Sequence, residues 1–168
     1  MLHERHCARY DTFMAIEIER KFLVKNDSWR DGVNRKQHIV QGYLANSEKG
    51  SIRVRVSGDK AHLNIKSMTL GVTRTEYEYP IPADDARAIL ADLCLRPLIE
   101  KTRFFIQQNH HIWEVDVFEG ENAGLVVAEI ELHTADEDID PPAWLGQEVS
   151  DDPRYYNVCL VQHPFSTW

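Results

Sequence analysis

The stretch Glu17-Ile18-Glu19-Arg20-Lys21-Phe22 decides the fold, because charged and apolar residues alternate in it with a period close to two. Successive side chains of a β-strand point to opposite faces, so this stretch predicts a strand with one ionic and one apolar face. Glu17, Glu19 and Lys21 share the ionic face, whereas Arg20 falls on the apolar side. Such a strand separates a hydrophobic layer from a charged one.

The same alternation recurs along the chain and predicts a mainly β (α+β) protein. Eight segments are rich in β-branched or aromatic residues and are bounded by turn residues. We expect strands near 14–24, 35–44, 50–57, 60–67, 72–80, 98–108, 110–118 and 125–133, a helix over 82–90, a short helix or turn beginning within 140–146, and a helix over 153–161.

The chain is interpreted as one domain over residues 14–168, preceded by an extension over residues 1–13. The extension is polar and lacks periodicity, and the alternation begins at Met14, which we take as the natural start. At 168 residues the chain is long enough to bury a substantial core.

Two hairpins bring the ionic faces of neighbouring strands together. Gly58-Asp59 is typical of a two-residue turn, and the resulting register places Lys66 on the face that carries Arg53 and Arg55. A second two-residue loop is expected at Asn109-His110. The shared ionic face then collects Glu17, Glu19, Glu76, Glu78, Glu114, Asp116, Glu129 and Glu131 with Lys21, Arg53, Arg55, Lys66, Arg74, Lys101 and Arg103.

Two architectures accommodate this pattern. In an open sheet or sandwich the ionic face is wet, and its cross-strand pairs contribute little stability. In a closed barrel the ionic face lines the interior and the apolar face lies beneath covering helices. Nearly every strand carries two like charges two residues apart, and such charges repel each other unless counter-ions enter. The complete set therefore favours the closed barrel and a bound ionic ligand.

The residue types on this face indicate the chemistry of the ligand. Paired carboxylates offer the oxygen ligands that Mg²⁺ and Mn²⁺ prefer. Paired Arg and Lys side chains suit phosphate oxygens, Arg as a fork and Lys as a point charge. Together they predict a site for a polyphosphate and divalent metal ions. The sequence contains no G-x-S-x-G or P-loop motif that would indicate other catalytic machinery.

Composition and sequence patterns limit the classes of partner and the cellular compartment that we expect. A formal net charge of −8 argues against nonspecific binding of nucleic acid, which requires a basic surface. No apolar run approaches the length of a membrane span, and the first residues lack a secretory signal. Three cysteines far apart in sequence suit a reducing cytoplasm. We therefore expect a cytoplasmic protein without membrane or nucleic-acid partners, as a monomer or homodimer.

The ordered motifs resemble the CYTH superfamily, the triphosphate tunnel metalloenzymes. The E-x-E-x-K pattern of Glu17, Glu19 and Lys21 is similar to the signature of that family, and further matches follow in order from about Met14 to the C-terminus. They are Gly42-Tyr43-Leu44, Arg53 with Arg55, Asn64-Ile65-Lys66, Arg74-Thr75-Glu76-Tyr77-Glu78, Lys101-Thr102-Arg103, Glu114-Val115-Asp116, Ala128-Glu129-Ile130-Glu131 and Asp152-Pro153-Arg154-Tyr155-Tyr156-Asn157.

The resemblance implies an eight-stranded antiparallel β-barrel tunnel with helices packed outside and a C-terminal helix closing one end. It also implies Mg²⁺ or Mn²⁺ as cofactor. The implied metal ligands are Glu17, Glu19, Glu76, Glu78, Asp116, Glu129 and Glu131. The implied substrate-binding residues are Lys21, Arg53, Arg55, Lys66, Arg74, Lys101, Arg103 and Arg154. The implied catalytic residues are Lys21, Tyr43, Glu129 and Glu131.

The resemblance further implies a triphosphatase that hydrolyses the terminal phosphoanhydride of inorganic tripolyphosphate or another triphosphate, because the chain is similar to compact bacterial inorganic triphosphatases. Three alternatives stay open at this point. A class IV adenylate cyclase would use the same tunnel to convert ATP into cyclic AMP, and a thiamine triphosphatase would act on thiamine triphosphate. A binding module would retain polyphosphate or a nucleotide without turnover.

Overall fold

The computed structural model describes residues 15–68 and 72–168, so the predicted extension over residues 1–13 lies outside the described part. Strands dominate the described part, as the alternation predicts. The elements are β1 (Ala15–Val24), β2 (Val33–Asn46), β3 (Gly50–Ser57), β4 (Lys60–Ser67), β5 (Thr73–Pro80), α1 (Ala83–Asp92), β6 (Ile99–Gln108), β7 (His111–Phe118), β8 (Val126–Glu131), β9 (Leu145–Glu148) and α2 (Asn157–Gln162).

Eight antiparallel strands close into a barrel, which confirms the predicted fold class. Around the barrel the order is β1-β5-β4-β3-β2-β6-β7-β8, and β8 returns to β1. β1 closes the ring because residues 15–18 pair with β5 while residues 19–23 pair with β8. The short strand β9 adds to the end of β1 at residues 22–24.

Both predicted hairpins form with the expected register. In the β3–β4 hairpin Arg53 lies opposite Asn64, and Gly58 adopts the positive φ of 61° that a two-residue turn requires. The β6–β7 hairpin turns at residues 109–110, where Asn109 has a φ of 53°. The registers of the two hairpins therefore place the predicted charged pairs on one face.

The structure differs from the sequence prediction mainly near the C-terminus. Residues 140–146 were expected to begin a short helix or turn, but the chain turns and then forms β9, which exists only by pairing with β1. The helix expected over 153–161 is divided at Tyr156 into a 3₁₀ turn, Pro153–Tyr155, and α2. A 3₁₀ helix at Asp27–Gly32 was not predicted.

The hydrophobic layers lie outside the barrel wall, because the interior is ionic. α1 packs Ala86 and Leu90 against Val54 of β3 and Ala61 of β4. Gly42 of β2 permits a close approach on this side, since a Cβ there would meet Cys94 at 2.7 Å. A second layer covers another part of the wall and contains Phe22, Trp29, Ile106, Trp113, Val115, Ala128, Ile130, Leu132, Trp144 and Leu145.

A third apolar cluster closes one end of the barrel, as predicted for the C-terminal helix. Val158 and Leu160 of α2, with Tyr156 just before it, pack on apolar side chains at that end. Those side chains are Tyr43, Ile99, Phe118, Leu125 and Val127. We call the segment of residues 153–162 the plug.

Candidate active site in the barrel interior

A cavity of about 600 Å³ occupies the barrel interior. Inward-facing side chains from eight strands line it, and the plug contributes Pro153, Tyr156, Asn157, Val158 and Cys159 at the closed end. The period-two alternation explains the lining, because each strand sends its charged residues inward and its apolar residues to the outer layers. The cavity is therefore polar and closed by the plug at one end.

The cavity lining balances opposite charges. Among the described residues that line it, seven are carboxylates and seven are cationic, while the whole chain carries a formal charge of −8. The carboxylates are Glu17, Glu19, Glu76, Glu78, Glu114, Glu129 and Glu131, and the cations are Lys21, Arg53, Arg55, Lys66, Arg74, Lys101 and Arg103. The interior is thus close to neutral, although half of the residues that line it are charged.

On one side of the cavity Lys21, Lys101, Asp116 and Glu129 are buried, and the Arg103 side chain keeps 14% of its surface accessible. Lys21 donates to Glu19 and Glu129, and Lys101 donates to Asp116. Arg103 binds both oxygens of Asp116 at 2.7 Å and also contacts Glu129. We call Lys21, Lys101, Arg103, Asp116 and Glu129 the buried ion cluster.

The buried ion cluster shifts the pKa values of its members in opposite directions. Burial opposes the charge of Glu129, but Lys21 and Arg103 outweigh it and hold the pKa of Glu129 well below its usual value. Burial likewise opposes the charge of Lys21, yet Glu129 and Glu19 raise its pKa. For Lys101 burial prevails over the attraction of Asp116, so the pKa of Lys101 is lowered.

The opposite wall, from β3 to β5, carries looser ion pairs. Lys66 donates to Glu17 at 2.7 Å and lies 2.9 Å from Glu76, so one ammonium bridges two strands. Arg55 donates to Glu78 at 2.6 Å. These side chains keep 15–38% of their surface accessible. We call Glu17, Arg55, Lys66, Glu76 and Glu78 the open ion cluster.

Glu131 is the carboxylate with the weakest compensation. It lies opposite Glu19 in the β1–β8 register, and it makes no hydrogen bond or ion pair within the described residues. Burial raises its pKa, and the nearby charges of Glu17 and Glu19 raise it further. Carboxylates that crowd in this way fit a divalent cation, which needs several oxygen ligands of negative charge.

On the outer face of the barrel, away from the cavity, lies a group of side chains whose ligand atoms are close enough together to hold a metal ion. Within residues 15–68 and 72–168, the side chains whose potential ligand atoms all approach within 4.8 Å are those of His38, Glu100 and Glu119. All three are exposed. The carboxylates of the cavity are instead spaced apart by the Lys and Arg side chains that they contact, so they would need to exchange partners to surround a metal ion.

Of the predicted site residues, 14 line the cavity and two do not. Arg154 was expected to approach it, but its side chain is 65% exposed, pairs with Asp152 at 2.6 Å and stacks over Tyr155. Asp116 lies behind the lining with no exposed surface, and Lys101 and Arg103 occupy its oxygens. The structure thus gives Asp116 the position of a support for two cations, and it places Arg154 on the surface.

Tyr43 lines the cavity as predicted and is 4% exposed. Burial raises the pKa of its hydroxyl, and Arg53, which hydrogen-bonds to it, only partly offsets this effect. The ring belongs to the apolar cluster beneath the plug. Tyr43 therefore joins the apolar cluster at the closed end of the cavity to the cation Arg53.

Sequence reasoning missed several lining residues. Gln41 shares the inward parity of Tyr43 but carries no charge, so a search for paired charges passed over it. Glu114 was placed on the ionic face without a role, and it contacts Arg103. Burial raises the pKa of Glu114. The plug residues could not be found by alternation, since they follow no strand.

The interior of this closed antiparallel barrel offers rows of cations that suit an anion and rows of carboxylates that suit metal ions. A family comparison identifies the class of protein. The CYTH domain model matches residues 15–156. The chain belongs to the CYTH domain family.

Individual relatives cover nearly the whole chain. An inorganic triphosphatase of Acetivibrio thermocellus is 44% identical over 155 residues, which cover 92% of this chain and 99% of the relative. An inorganic triphosphatase of Nitrosomonas europaea is 33% identical and covers 86% of this chain and 96% of the relative. A crystal structure of an inorganic triphosphatase superposes with a TM-score of 0.65 at 32% identity, covering 88% and 95% of the two chains.

The described helices are all too short or too polar to cross a membrane.

Proposed function

We propose that this protein is a triphosphatase that hydrolyses the terminal phosphoanhydride of inorganic tripolyphosphate with the help of Mg²⁺ or Mn²⁺. The observation that carries the proposal is the equal number of cations and carboxylates around one cavity. The two relatives with 44% and 33% identity are both inorganic triphosphatases and align over most of this chain, which supports the same activity here.

Charge balance explains why the anion and the metal ions would enter together. Tripolyphosphate alone would bring several negative charges into an interior that is already neutral, and it would also compete with the carboxylates for the Lys and Arg side chains. Divalent cations compensate both the ligand and the released carboxylates. Binding thus becomes an exchange of partners, in which phosphate takes the cations and metal takes the carboxylates.

The cations would hold the phosphate chain from several sides. Lys21 and Lys101 approach from β1 and β6, and Arg103 lies beside Lys101. Arg53, Arg55, Lys66 and Arg74 face them from β3, β4 and β5. Guanidinium groups bind phosphate oxygens in pairs, whereas ammonium groups act as point charges and stabilise charge that develops on the leaving group.

The carboxylates of β1 and β8 fit the metal. Glu131, whose negative charge is poorly compensated, offers a hard oxygen ligand together with the nearby Glu17 and Glu19. Glu76, Glu78 and Glu129 are further candidate ligands. A bound divalent ion would neutralise phosphate charge and supply an activated water. Tyr43 would help to position the phosphate through Arg53 at the closed end.

A phosphate-release assay tests the proposal. Wild-type protein with tripolyphosphate and Mg²⁺ or Mn²⁺ is expected to release phosphate, and EDTA is expected to abolish the release. Glu131→Gln keeps the shape of the side chain but removes its charge, so kcat should fall about 100-fold or more, the scale on which a lost transition-state contact acts. Gln147→Glu on β9 changes an exposed residue away from the cavity lining and serves as the control.

The same assay with ATP, thiamine triphosphate and pyrophosphate distinguishes the alternatives. Faster turnover of thiamine triphosphate, or conversion of ATP into cyclic AMP and pyrophosphate, would contradict the proposed substrate. Binding of tripolyphosphate without release under any of these conditions would contradict hydrolysis itself.

We further propose that the protein acts in the cytoplasm as a monomer or homodimer, without nucleic-acid or membrane partners. The three separated cysteines and the formal charge of −8 support this assignment. Light scattering coupled to size-exclusion chromatography distinguishes the monomer from the dimer, and a larger assembly would contradict both.

A further inference from the structure

Gln41 is a buried amide in the wall of a cavity whose other polar groups are mostly charged. It lies on β2 between the inward-facing residues Ile39 and Tyr43, and it lines the cavity with only 1% of its surface exposed. Across the sheet it faces Arg55 on one side and Ile99 on the other. It therefore lies where the phosphate-binding cations meet the apolar cluster beneath the plug.

The hydrogen bond from Arg53 determines how the amide is oriented. Arg53 donates from Nη1 to Oε1 of Gln41 at 3.2 Å. A guanidinium group has no acceptor, so the amide atom that it contacts must be the oxygen. The amide nitrogen Nε2 is then the donor of the side chain, and it is buried without an acceptor among residues 15–68 and 72–168.

Arg53, which contacts Gln41, carries a second buried donor of this kind. Nε of Arg53 is also buried, and no residue in the described part of the chain accepts a hydrogen bond from it. Buried N–H groups nearly always find a partner in proteins, because leaving one unpaired forfeits the hydrogen bond that water would supply. Two such donors on adjoining side chains of one cavity wall are placed to bind an acceptor that enters the cavity.

We propose that Gln41 binds substrate directly and helps to determine specificity, with Nε2 donating to a non-bridging phosphate oxygen beside Arg53. This inference rests on the proposed function only in taking a polyphosphate as the ligand. A neutral donor suits this position, because it adds a directional hydrogen bond to the oxyanion while the seven cations and seven carboxylates stay in balance.

The binding of tripolyphosphate in EDTA tests the inference without turnover, since metal-dependent hydrolysis is blocked. Isothermal titration compares wild type with Gln41→Met, which keeps the length but removes the donor, and Gln41→Glu, which places an acceptor there. We expect the Kd to rise about 10- to 100-fold for Gln41→Met, the usual effect of losing a hydrogen bond to a charged group, and further for Gln41→Glu.

The matched control is Gln37→Met, which changes the same residue type on the same strand outside the cavity lining. It is expected to leave the Kd within about twofold, a negligible difference on the free-energy scale of binding. An equally small change for Gln41→Met would overturn the inference. If wild type binds too weakly in EDTA, the comparison is made on KM with Mg²⁺, and an unchanged KM for Gln41→Met overturns it in the same way.

Two further measurements, the melting temperature and phosphate release, distinguish substrate binding by Gln41 from a purely structural role and from failure of the proposed hydrolysis. If Gln41 only stabilised the fold, Gln41→Met would lower the ligand-free melting temperature and leave both Kd and KM unchanged. If the protein binds tripolyphosphate but releases no phosphate, the proposed hydrolysis fails, whereas a weaker Kd for Gln41→Met still supports the contact. Failure of the two proposals is thus distinguishable.

Discussion

The two walls of the cavity use the same residue types in different surroundings. In the buried ion cluster the side chains of Lys21, Lys101, Asp116 and Glu129 keep 0–5% of their surface accessible, and Arg103 keeps 14%. In the open ion cluster the corresponding values are 15–38%. The contacts look alike, but water screens only the second set. Desolvation, and not the number of ion pairs, therefore decides what each wall contributes to stability.

This difference suits the two walls to different tasks. Breaking a buried pair leaves an uncompensated charge in a medium of low polarity, so the buried ion cluster holds its geometry before any ligand arrives. An open pair is exchanged for water or for a ligand at little cost. Ligands therefore meet one preorganised wall and one wall that readily exchanges partners.

The largest expected effect on stability comes from Glu129→Gln in the buried ion cluster. The substitution keeps the size of the side chain but removes one buried counter-charge shared by Lys21 and Arg103. Lys21 then keeps Glu19, and Arg103 keeps Asp116 and Glu114. The free energy of unfolding should fall by about 3–5 kcal/mol, the cost of removing one partner from a buried ion pair. Urea unfolding without ligands measures it. A loss below about 1 kcal/mol would remove the distinction between the walls.

A smaller effect is expected from the same substitution in the open ion cluster. Glu78→Gln removes the charge that pairs with Arg55, but the Glu78 side chain is 38% exposed and water solvates both groups. The loss should stay below about 1 kcal/mol in the same urea experiment. A value close to that of Glu129→Gln would mean that both walls are equally desolvated.

A comparably small effect is expected outside the barrel. Arg20 makes a two-pronged contact with Glu148 of β9 at 2.6 and 2.8 Å, and both side chains are partly exposed. Arg20→Met should cost about 0.2–1 kcal/mol, as for other exposed pairs. A double-mutant cycle with Glu148→Gln isolates the pairwise part. A coupling above about 2 kcal/mol would place this pair with the buried ions.

The sequence predicted most of the cavity lining because alternation and turn chemistry are local rules, whereas the closed eight-stranded barrel was inferred from the complete charge set and from the resemblance to the CYTH superfamily. Alternation assigns each side chain to a face, and the turn at Gly58 fixes which residues of β3 and β4 lie opposite each other. These two rules bring Arg53, Arg55 and Lys66 to one cavity. No longer-range information was needed for that result.

The remaining features depend on distance from the surface or on contacts between remote segments. Parity places Asp116 on the inward face, but it does not show that Lys101 and Arg103 cover it. β9 forms only because β1 offers a free edge, so its own four residues carry too little signal. Gln41 escaped notice because its proposed role rests on a buried donor that is unpaired among the described residues, which only the structure reveals.

The closure of the barrel at β1, which pairs with both β5 and β8, also determines when this protein is able to fold. β1 stands at the start of the described chain, yet Glu19 pairs with Glu131, more than 100 residues later. During synthesis the ribosome must therefore release β8 before the ring closes, and until then β1 and β8 present unpaired edges. Such open edges associate readily with other chains, so we expect the nascent protein to be most prone to aggregation before β8 has emerged.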